Sequence, residues 1–307
     1  MKILLIGGNG FIGLNMAEAL VRHGHEVHVA SRSGAPSTFT RELPAVTAFH
    51  VIPTLAVEPL MALVASCGID CVVSLASSLI PSSTAADFER ELTQTIVPTF
   101  QLTEQLAQRR VRFVYVSSGG TVYGASTQAT LDEDTPLRPI SHYGYSKVMV
   151  EQYVAFMGRT QGLQHMVLRP SNPFGPFQNP HRKQGLIAVA VDKILHGQPI
   201  DIWGDGSVVR DYLWVQDLAD VVARLLAVQS AWGQTFNIGA GVGHSIVELL
   251  DLLQELTGIT ADIRYREGRS VDVQRMVLNI SKLRRAVPFE PLDLRQALSR
   301  YLDDLRS

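Results

Sequence analysis

Lys2-Ile-Leu-Leu-Ile-Gly-Gly-Asn-Gly-Phe-Ile-Gly13 is the stretch from which the rest of the chain can be read. Ile3–Ile6 is a short apolar run of the kind that fills a strand buried on both faces of a parallel sheet. Glycines follow at 7, 8, 10 and 13, and Leu14–Arg22 then has helical character. Strand, glycine turn and helix in this order form a pyrophosphate cradle. Glycine permits the tight turn and the close backbone approach, and a helix start offers unpaired N–H groups at a positive dipole end. The spacing fits both G-x-G-x-x-G (Gly8, Gly10, Gly13) and G-x-x-G-x-x-G (Gly7, Gly10, Gly13). Because the glycines follow a strand and open a helix, the segment predicts dinucleotide binding.

Working outward, strands and helices alternate. Glu26–Ala30, Thr47–Ile52, Asp70–Leu75, Arg112–Val116 and His165–Leu168 are strand-like, and Pro59–Cys67, Ala85–Arg109 and Tyr143–Gln161 are helical, with Pro98 a candidate kink. Such alternation predicts an α/β fold, a doubly wound (Rossmann) parallel sheet with helices on both faces. After Arg169, prolines at 170, 173, 176 and 180 break the pattern. They suggest a boundary between a nucleotide-binding domain over 1–170 and a smaller mixed α/β substrate lobe over 171–307, with the stretch near 207–238 a candidate to return to the first domain. Helices are expected over Lys183–His196, Asp217–Val228, Ser245–Leu256 and Leu292–Leu305. Ser245 and Glu248 are spaced as a capping box.

The bulk numbers exclude several classes. A chain of 307 residues with 46% hydrophobic and 18% charged residues has the composition of a globular enzyme. A formal charge of −2 gives no electrostatic reason to expect nucleic-acid or membrane partners. No run approaches the length of a membrane span and no basic n-region precedes a cleavable apolar stretch, so a cytoplasmic location is expected. The two cysteines, Cys67 and Cys71, make a disulfide scaffold improbable and are too few for a zinc site by themselves. No metal is expected.

A carboxylate at the end of the second strand is the usual partner of the ribose 2′-hydroxyl in NAD-binding folds. Here Ser31, Arg32 and Ser33 occupy that place. Serine does not repel a 2′-phosphate and Arg32 can pair with one, so the cofactor expected is NADP or NAD, leaning to NADP.

Val116-Ser-Ser-Gly-Gly-Thr-Val-Tyr-Gly124 ends the fifth strand in small and hydroxyl residues. Tyr143 and Lys147 in Tyr-Gly-Tyr-Ser-Lys are four apart and share a helix face. An ammonium beside a phenol favours the phenolate, and such a tyrosine can take a proton from a sugar hydroxyl. Tyr145 competes, but its neighbour one turn on is Met149, which supplies no charge.

With these motifs the chain resembles the extended short-chain dehydrogenases/reductases of the nucleotide-sugar epimerase/dehydratase family. The resemblance extends through Leu168–Pro176, Trp203–Gly206, Arg210–Ala219, Phe236–Gly239 and Arg269…Asp272. It implies a homodimer paired through the helices Ala85–Arg109 and Tyr143–Gln161. It implies Tyr143 as the acid/base, Lys147 on the nicotinamide ribose, and Thr121 or Ser118 as the second hydroxyl at the reacting oxygen. Cofactor contacts are implied for Gly7, Gly10, Phe11, Ile12, Gly13, Ser31, Arg32, Ala76, Ser117, Tyr143, Lys147 and Pro170. Asn172, Arg210 and Arg269 would bind the nucleotide diphosphate, Asp272 the nucleoside ribose, and Met276 would lie beside the sugar.

The chain departs from its apparent relatives at three places. Gly119 stands where many epimerases have a catalytic serine, Thr95 where an asparagine is common, and no acid follows the second strand. The Asp-Glu pair of dehydratases is also missing, so 4,6-dehydration is not expected. The resemblance implies a nucleotide-sugar 4-epimerase of the UDP-glucose type, with an NADPH-dependent 4-ketoreductase of a dTDP-, UDP- or GDP-linked 4-keto-6-deoxy sugar as the alternative. A catalytically inactive nucleotide-binding protein is the remaining one.

Overall fold

The computed structural model describes residues 1–35, 42–52, 55–181, 185–267 and 273–306. In chain order the first half contains β1 (Lys2–Ile6), α1 (Phe11–Arg22), β2 (Glu26–Ser31), β3 (Ala48–Val51), α2 (Val57–Cys67), β4 (Cys71–Ser74), α3 (Ala85–Glu91), α4 (Val97–Gln108), β5 (Arg112–Val116), α5 (His142–Gln161) and β6 (His165–Pro170). The second half contains β7 (Asn172–Phe174), α6 (Leu186–Leu195), β8 (Ile200–Trp203), β9 (Val209–Trp214), α7 (Val215–Leu225), β10 (Gln234–Ile238), β11 (Gly243–Ser245), α8 (Ile246–Thr257), β12 (Ile263–Arg266), β13 (Arg275–Met276), α9 (Ser281–Ala286) and α10 (Leu294–Arg306).

The main sheet has seven parallel strands in the order β10-β6-β5-β4-β1-β2-β3. Successive side chains of a strand point to opposite faces, and here both faces are dry. Ile3, Leu5, Val27, Val29, Val73 and Val114 pack beneath α1 and α7, whereas Leu4, Ile6, Val72, Phe113 and Tyr115 pack beneath α2, α4 and α5. The strand order reverses between β1 and β4, and ligands of such sheets bind at the carboxyl ends of the strands at that switch. The glycine turn leaves β1 at this point.

The Rossmann reading of the first half is therefore correct, with local differences. α1 begins at Phe11, three residues earlier than Leu14, because Gly10 serves as its N-cap with φ −86° and ψ 175°. The long helix expected over Ala85–Arg109 is interrupted by a π-helical turn, Leu92–Ile96, and Pro98 lies in the first turn of α4. Proline cannot donate to the carbonyl four residues back, and the wide turn just upstream absorbs that lost bond. Ser245 caps α8 and Glu248 returns the bond to the Ser245 N–H, completing the expected capping box.

Two smaller sheets stand over the carboxyl edge. β9 pairs with β7, β11 and β13, and β12 pairs in parallel with β8. α6, α8 and α10 close a separate core around Phe174, Trp214, Leu249, Leu298 and Tyr301. β10, although late in the chain, completes the main sheet beside β6. No helix among the described residues is long and apolar enough to cross a membrane.

Candidate active site

The glycine turn has the geometry of a phosphate cradle. Gly7 has φ +76°, and a Cβ there would lie 3.3 Å from the Ala76 nitrogen, so the turns after β1 and β4 nearly touch. A Cβ on Gly13 would lie 2.5 Å from the Gly8 Cα and 2.6 Å from its carbonyl carbon. Both are backbone atoms with nowhere to move. α1 has no side-chain cap and no acid in its first turn, which leaves its N–H groups and positive dipole end for an anion. These features fit the pyrophosphate of a dinucleotide. Gly13→Ala is expected to lower dinucleotide affinity by more than tenfold and to destabilise the fold by about 1–3 kcal/mol through overpacking. A fluorescence titration and a thermal melt measure the two effects.

At the end of β2 the Ser31 hydroxyl is buried and donates to the Gly34 carbonyl at 3.1 Å, whereas Arg32 is exposed. Asn9 of the glycine turn reaches across to the Ser33 hydroxyl at 3.0 Å. Thus Ser33 and Arg32, rather than the Ser31 hydroxyl, border the space beyond the turn.

α5 starts against the loop that follows β5. Ser141 caps it, and a Cβ on Gly144 would meet the Thr121 carbonyl at 2.6 Å, so glycine lets helix and loop close together. This brings Tyr143, Lys147, Ser118 and Thr121 into one place. Lys147 is buried and its Nζ donates to the Val116 carbonyl at 3.1 Å, standing 5.6 Å from the centroid of the Tyr143 ring. Burial pushes its pKa down to about 8, against the pull of Glu91 and Glu151. The Tyr143 phenol is pushed above its usual value by burial, with Ser118, its hydrogen-bonding neighbour, pulling it down and Glu91 adding to the rise.

The expected depression of Tyr143 by Lys147 is therefore not a property of the protein alone. Desolvation sets the direction of the shift, and Lys147 bonds to a backbone carbonyl instead. Of the two candidate hydroxyls, Ser118 is the one that acts on the phenol; Thr121 points back to the Ser118 carbonyl at 3.4 Å. Tyr145 is 53% exposed and lies tilted against Phe88, away from this cluster.

Gly119 has a steric reason. A Cβ there would lie 2.6 Å from Leu278 Cδ1 and 2.8 Å from the Arg169 carbonyl, so a serine does not fit without displacing the backbone. Thr95 also has a partner in place: its hydroxyl donates at 3.1 Å to Glu91, which further accepts from the Ser78 N–H at 3.0 Å and the Ser78 hydroxyl at 2.6 Å. Glu91 is a buried acid that sequence reasoning missed, and nothing in its spacing advertised it. Its charge raises the pKa of both Tyr143 and Lys147. Glu91→Gln lowers both, so the limb of the pH–rate profile on which Tyr143 becomes phenolate is expected to move to lower pH.

A second missed group lies beneath the site. Arg169 and Glu151 are both buried and pair with Nη2–Oε2 at 2.6 Å and Nε–Oε2 at 3.0 Å. Ser117 donates to the same carboxylate, Arg169 donates to the Tyr123 hydroxyl at 2.9 Å, and Tyr123 donates to Asn237 Oδ1 at 2.6 Å. β5, α5, β6 and β10 are thereby tied together. The Ser117 hydroxyl is thus committed to Glu151, whereas the Pro170 carbonyl accepts from the Gly119 N–H at 2.8 Å and holds the loop. Phe11 and Ile12 lie in the first turn of α1.

The four-stranded sheet around β9 carries the remaining polar candidates. β7 brings Asn172 beside β9, where its amide donates to the Asp211 carbonyl at 3.0 Å and its Oδ1 lies 3.5 Å from where a Gly120 Cβ would be. Arg210 is in β9, paired in register with Met276. Met276 is buried with Val122, Tyr123 and Leu278. Asp211 is fully buried, its pKa raised to about 6 by desolvation, and it accepts from the N–H groups of Ala240, Gly241 and Leu278 at 2.8, 3.2 and 3.2 Å. Arg269 and Asp272 lie outside the described residues.

A switch-point glycine cradle with a tyrosine–lysine helix beside it defines a dinucleotide-dependent enzyme of the short-chain dehydrogenase/reductase class. Residues 3–239 match the family described as "NAD dependent epimerase/dehydratase family", and the chain belongs to it. The chain is similar to a UDP-glucose 4-epimerase of Mycolicibacterium smegmatis, 29% identical over 294 residues that cover 95% of this chain and 94% of that one. It is also 27% identical to a dTDP-4-dehydro-6-deoxyglucose reductase of Escherichia coli, over 94% of this chain and 92% of that one. Among solved structures, a UDP-glucose 4-epimerase of Thermotoga maritima, determined with UDP-glucose, superposes with a TM-score of 0.89 at 29% identity, covering 100% of this chain and 99% of that one.

Proposed function

We propose that the protein is a nucleotide-sugar 4-epimerase, with UDP-glucose and UDP-galactose as the pair it interconverts. The observation that carries this reading is the convergence of Tyr143, Ser118 and Lys147 on the carboxyl edge of β5, beside the glycine cradle. When bound, the nicotinamide dinucleotide would supply reversible two-electron (hydride-transfer) chemistry at the sugar C4. Tyr143 removes the proton from the C4 hydroxyl and gives it back, with Ser118 as the second hydroxyl at the reacting oxygen. Lys147 supplies positive charge beside the phenol and holds the nicotinamide ribose. Asn172, Arg210 and Arg269 on the diphosphate, with Asp272 on the nucleoside ribose, keep the nucleotide in place while the hexose turns over, so that both faces are presented without release. The labour is divided between residues 1–170 for the dinucleotide and 171–307 for the nucleotide sugar, with β10 returning to the first sheet.

Two observations favour a second reading, an NADPH-dependent 4-ketoreductase. The end of β2 carries Ser31 and Arg32 with no carboxylate, and position 119 leaves no room for a serine. The similarity to the Escherichia coli reductase agrees with it. Purified protein that retains a dinucleotide and interconverts UDP-glucose and UDP-galactose without added NADPH supports the epimerase. Stoichiometric NADPH consumption with a 4-keto sugar nucleotide, and no interconversion, establishes the reductase. Neither activity leaves a nucleotide-binding protein.

The chain acts as a homodimer in this reading, with α4 and α5 of two copies forming the contact. Val97, Tyr145 and Phe156 on these helices are all more than 40% exposed, as apolar positions that such a contact covers would be. Light scattering at dilute concentration is expected to give twice the chain mass.

A further inference from the structure

On the face of the main sheet covered by α2, His28 interrupts the apolar packing near one edge. β2 pairs His28 with Leu4 of β1 on one side and Ala48 of β3 on the other, and His28 is only 5% exposed. Two positions along β3, His50 turns to meet it: His28 Nδ1 and His50 Nε2 are 3.0 Å apart. Cys67, at the last turn of α2, completes the group, and one ligand atom from each of the three lies within 4.8 Å of the other two.

His28 is oriented from behind. Its Nε2 lies 3.2 Å from Glu26 Oε1, so that nitrogen carries the proton and Nδ1 presents a lone pair towards His50. A carboxylate on the far nitrogen of an imidazole is the usual support of a metal-ligating histidine, because it fixes tautomer and ring angle together. His50 and Cys67 are partly exposed, which gives an ion a way in.

We propose that His28, His50 and Cys67 form a binding site for a zinc-type divalent cation, with Glu26 as the positioning carboxylate. Two imidazoles and a thiolate are borderline-soft donors, the set that selects such ions over magnesium or calcium. Ligand nitrogens bound at about 2.0–2.1 Å in a tetrahedral arrangement stand roughly 3.3–3.4 Å apart. The 3.0 Å between the two rings therefore needs to open by only a few tenths of an ångström. Three protein ligands leave the fourth position to water or a small anion. The site lies at the start of the α2–β4 connection, whereas catalysis is at the opposite, carboxyl edge. An ion there would tie β2, β3 and α2 together without entering the chemistry.

The test is equilibrium dialysis of the intact protein against Zn2+, with metal analysis, beside a Co2+ titration followed by absorbance. One equivalent is expected, with a thiolate-to-cobalt charge-transfer band. Cys67→Ser and His50→Gln are each expected to weaken binding at least tenfold, and Cys67→Ser to abolish the band. Glu26→Gln is expected to weaken binding by about 10–100-fold. Cys71→Ser is expected to leave binding and the band unchanged, since Cys71 is buried in β4. Where a variant loses its fold, the unmutated protein gives the answer: one equivalent of Zn2+ should slow alkylation of Cys67, read at its peptide by mass spectrometry. Absence of stoichiometric binding, binding indifferent to Cys67 and His50, or unaltered alkylation overturns the proposal.

Discussion

Tyr143→Phe is expected to reduce turnover by about 100- to 10,000-fold, the range over which a positioned acid/base acts, while dinucleotide binding persists. The variant removes one oxygen and leaves the ring, so the packing of α5 against the loop after β5 is kept. Burial holds the phenol above its usual pKa, so the proposed reaction calls for positive charge near it to make the phenolate accessible. Lys147, 5.6 Å from the Tyr143 ring centroid, is the source that the proposal assigns. Its pKa of about 8 means that it begins to lose its charge just above neutrality. Activity is therefore expected to fall as pH rises through that region, and Lys147→Met should depress turnover across the whole range. Full turnover by Tyr143→Phe, measured as interconversion or as NADPH consumption, would show that the chemistry is elsewhere.

The second large effect concerns stability. Arg169→Met or Glu151→Gln alone is expected to cost about 3–5 kcal/mol, because each leaves the opposite charge buried without its partner. The double replacement Glu151→Met/Arg169→Met should recover part of that loss, since an apolar pair of similar volume no longer strands a charge. Urea unfolding of the three variants measures this. Additive losses would mean that the pair is not the unit. The effect should be felt at the site too, because Glu151 holds the Ser117 hydroxyl and lies one turn beyond Lys147 on α5.

The same residues indicate what could be learned from the amino-acid order and what could not. The glycine spacing and the alternation of apolar runs were enough for the parallel sheet, because both follow from local geometry. The tyrosine and lysine were legible for the same reason: four residues in a helix is one face. Glu151 continues that spacing and could have been found from it. Arg169, Tyr123 and Asn237 could not, since β6, the loop after β5 and β10 meet only through tertiary pairing. Glu91 was hidden likewise, its place set by the π turn before α4. The Tyr143 pKa was misjudged because charge proximity can be counted along a helix, whereas desolvation depends on everything packed around it. His28 and His50 look like isolated strand residues until the register of β2 with β3 puts them side by side.

That β10 closes the main sheet has a consequence for biosynthesis. A ribosome has delivered β6 long before residues 234–238 emerge, and through that interval the strand presents an open row of N–H and C=O groups. The tyrosine–asparagine link to Arg169 is also unmade until then. A nascent chain halted near residue 170 would carry the whole glycine cradle on an uncapped sheet, so it should be a client for holdase chaperones and a nucleus for edge-to-edge aggregation. The last third of the polypeptide thus finishes a sheet laid down by residues 2–170.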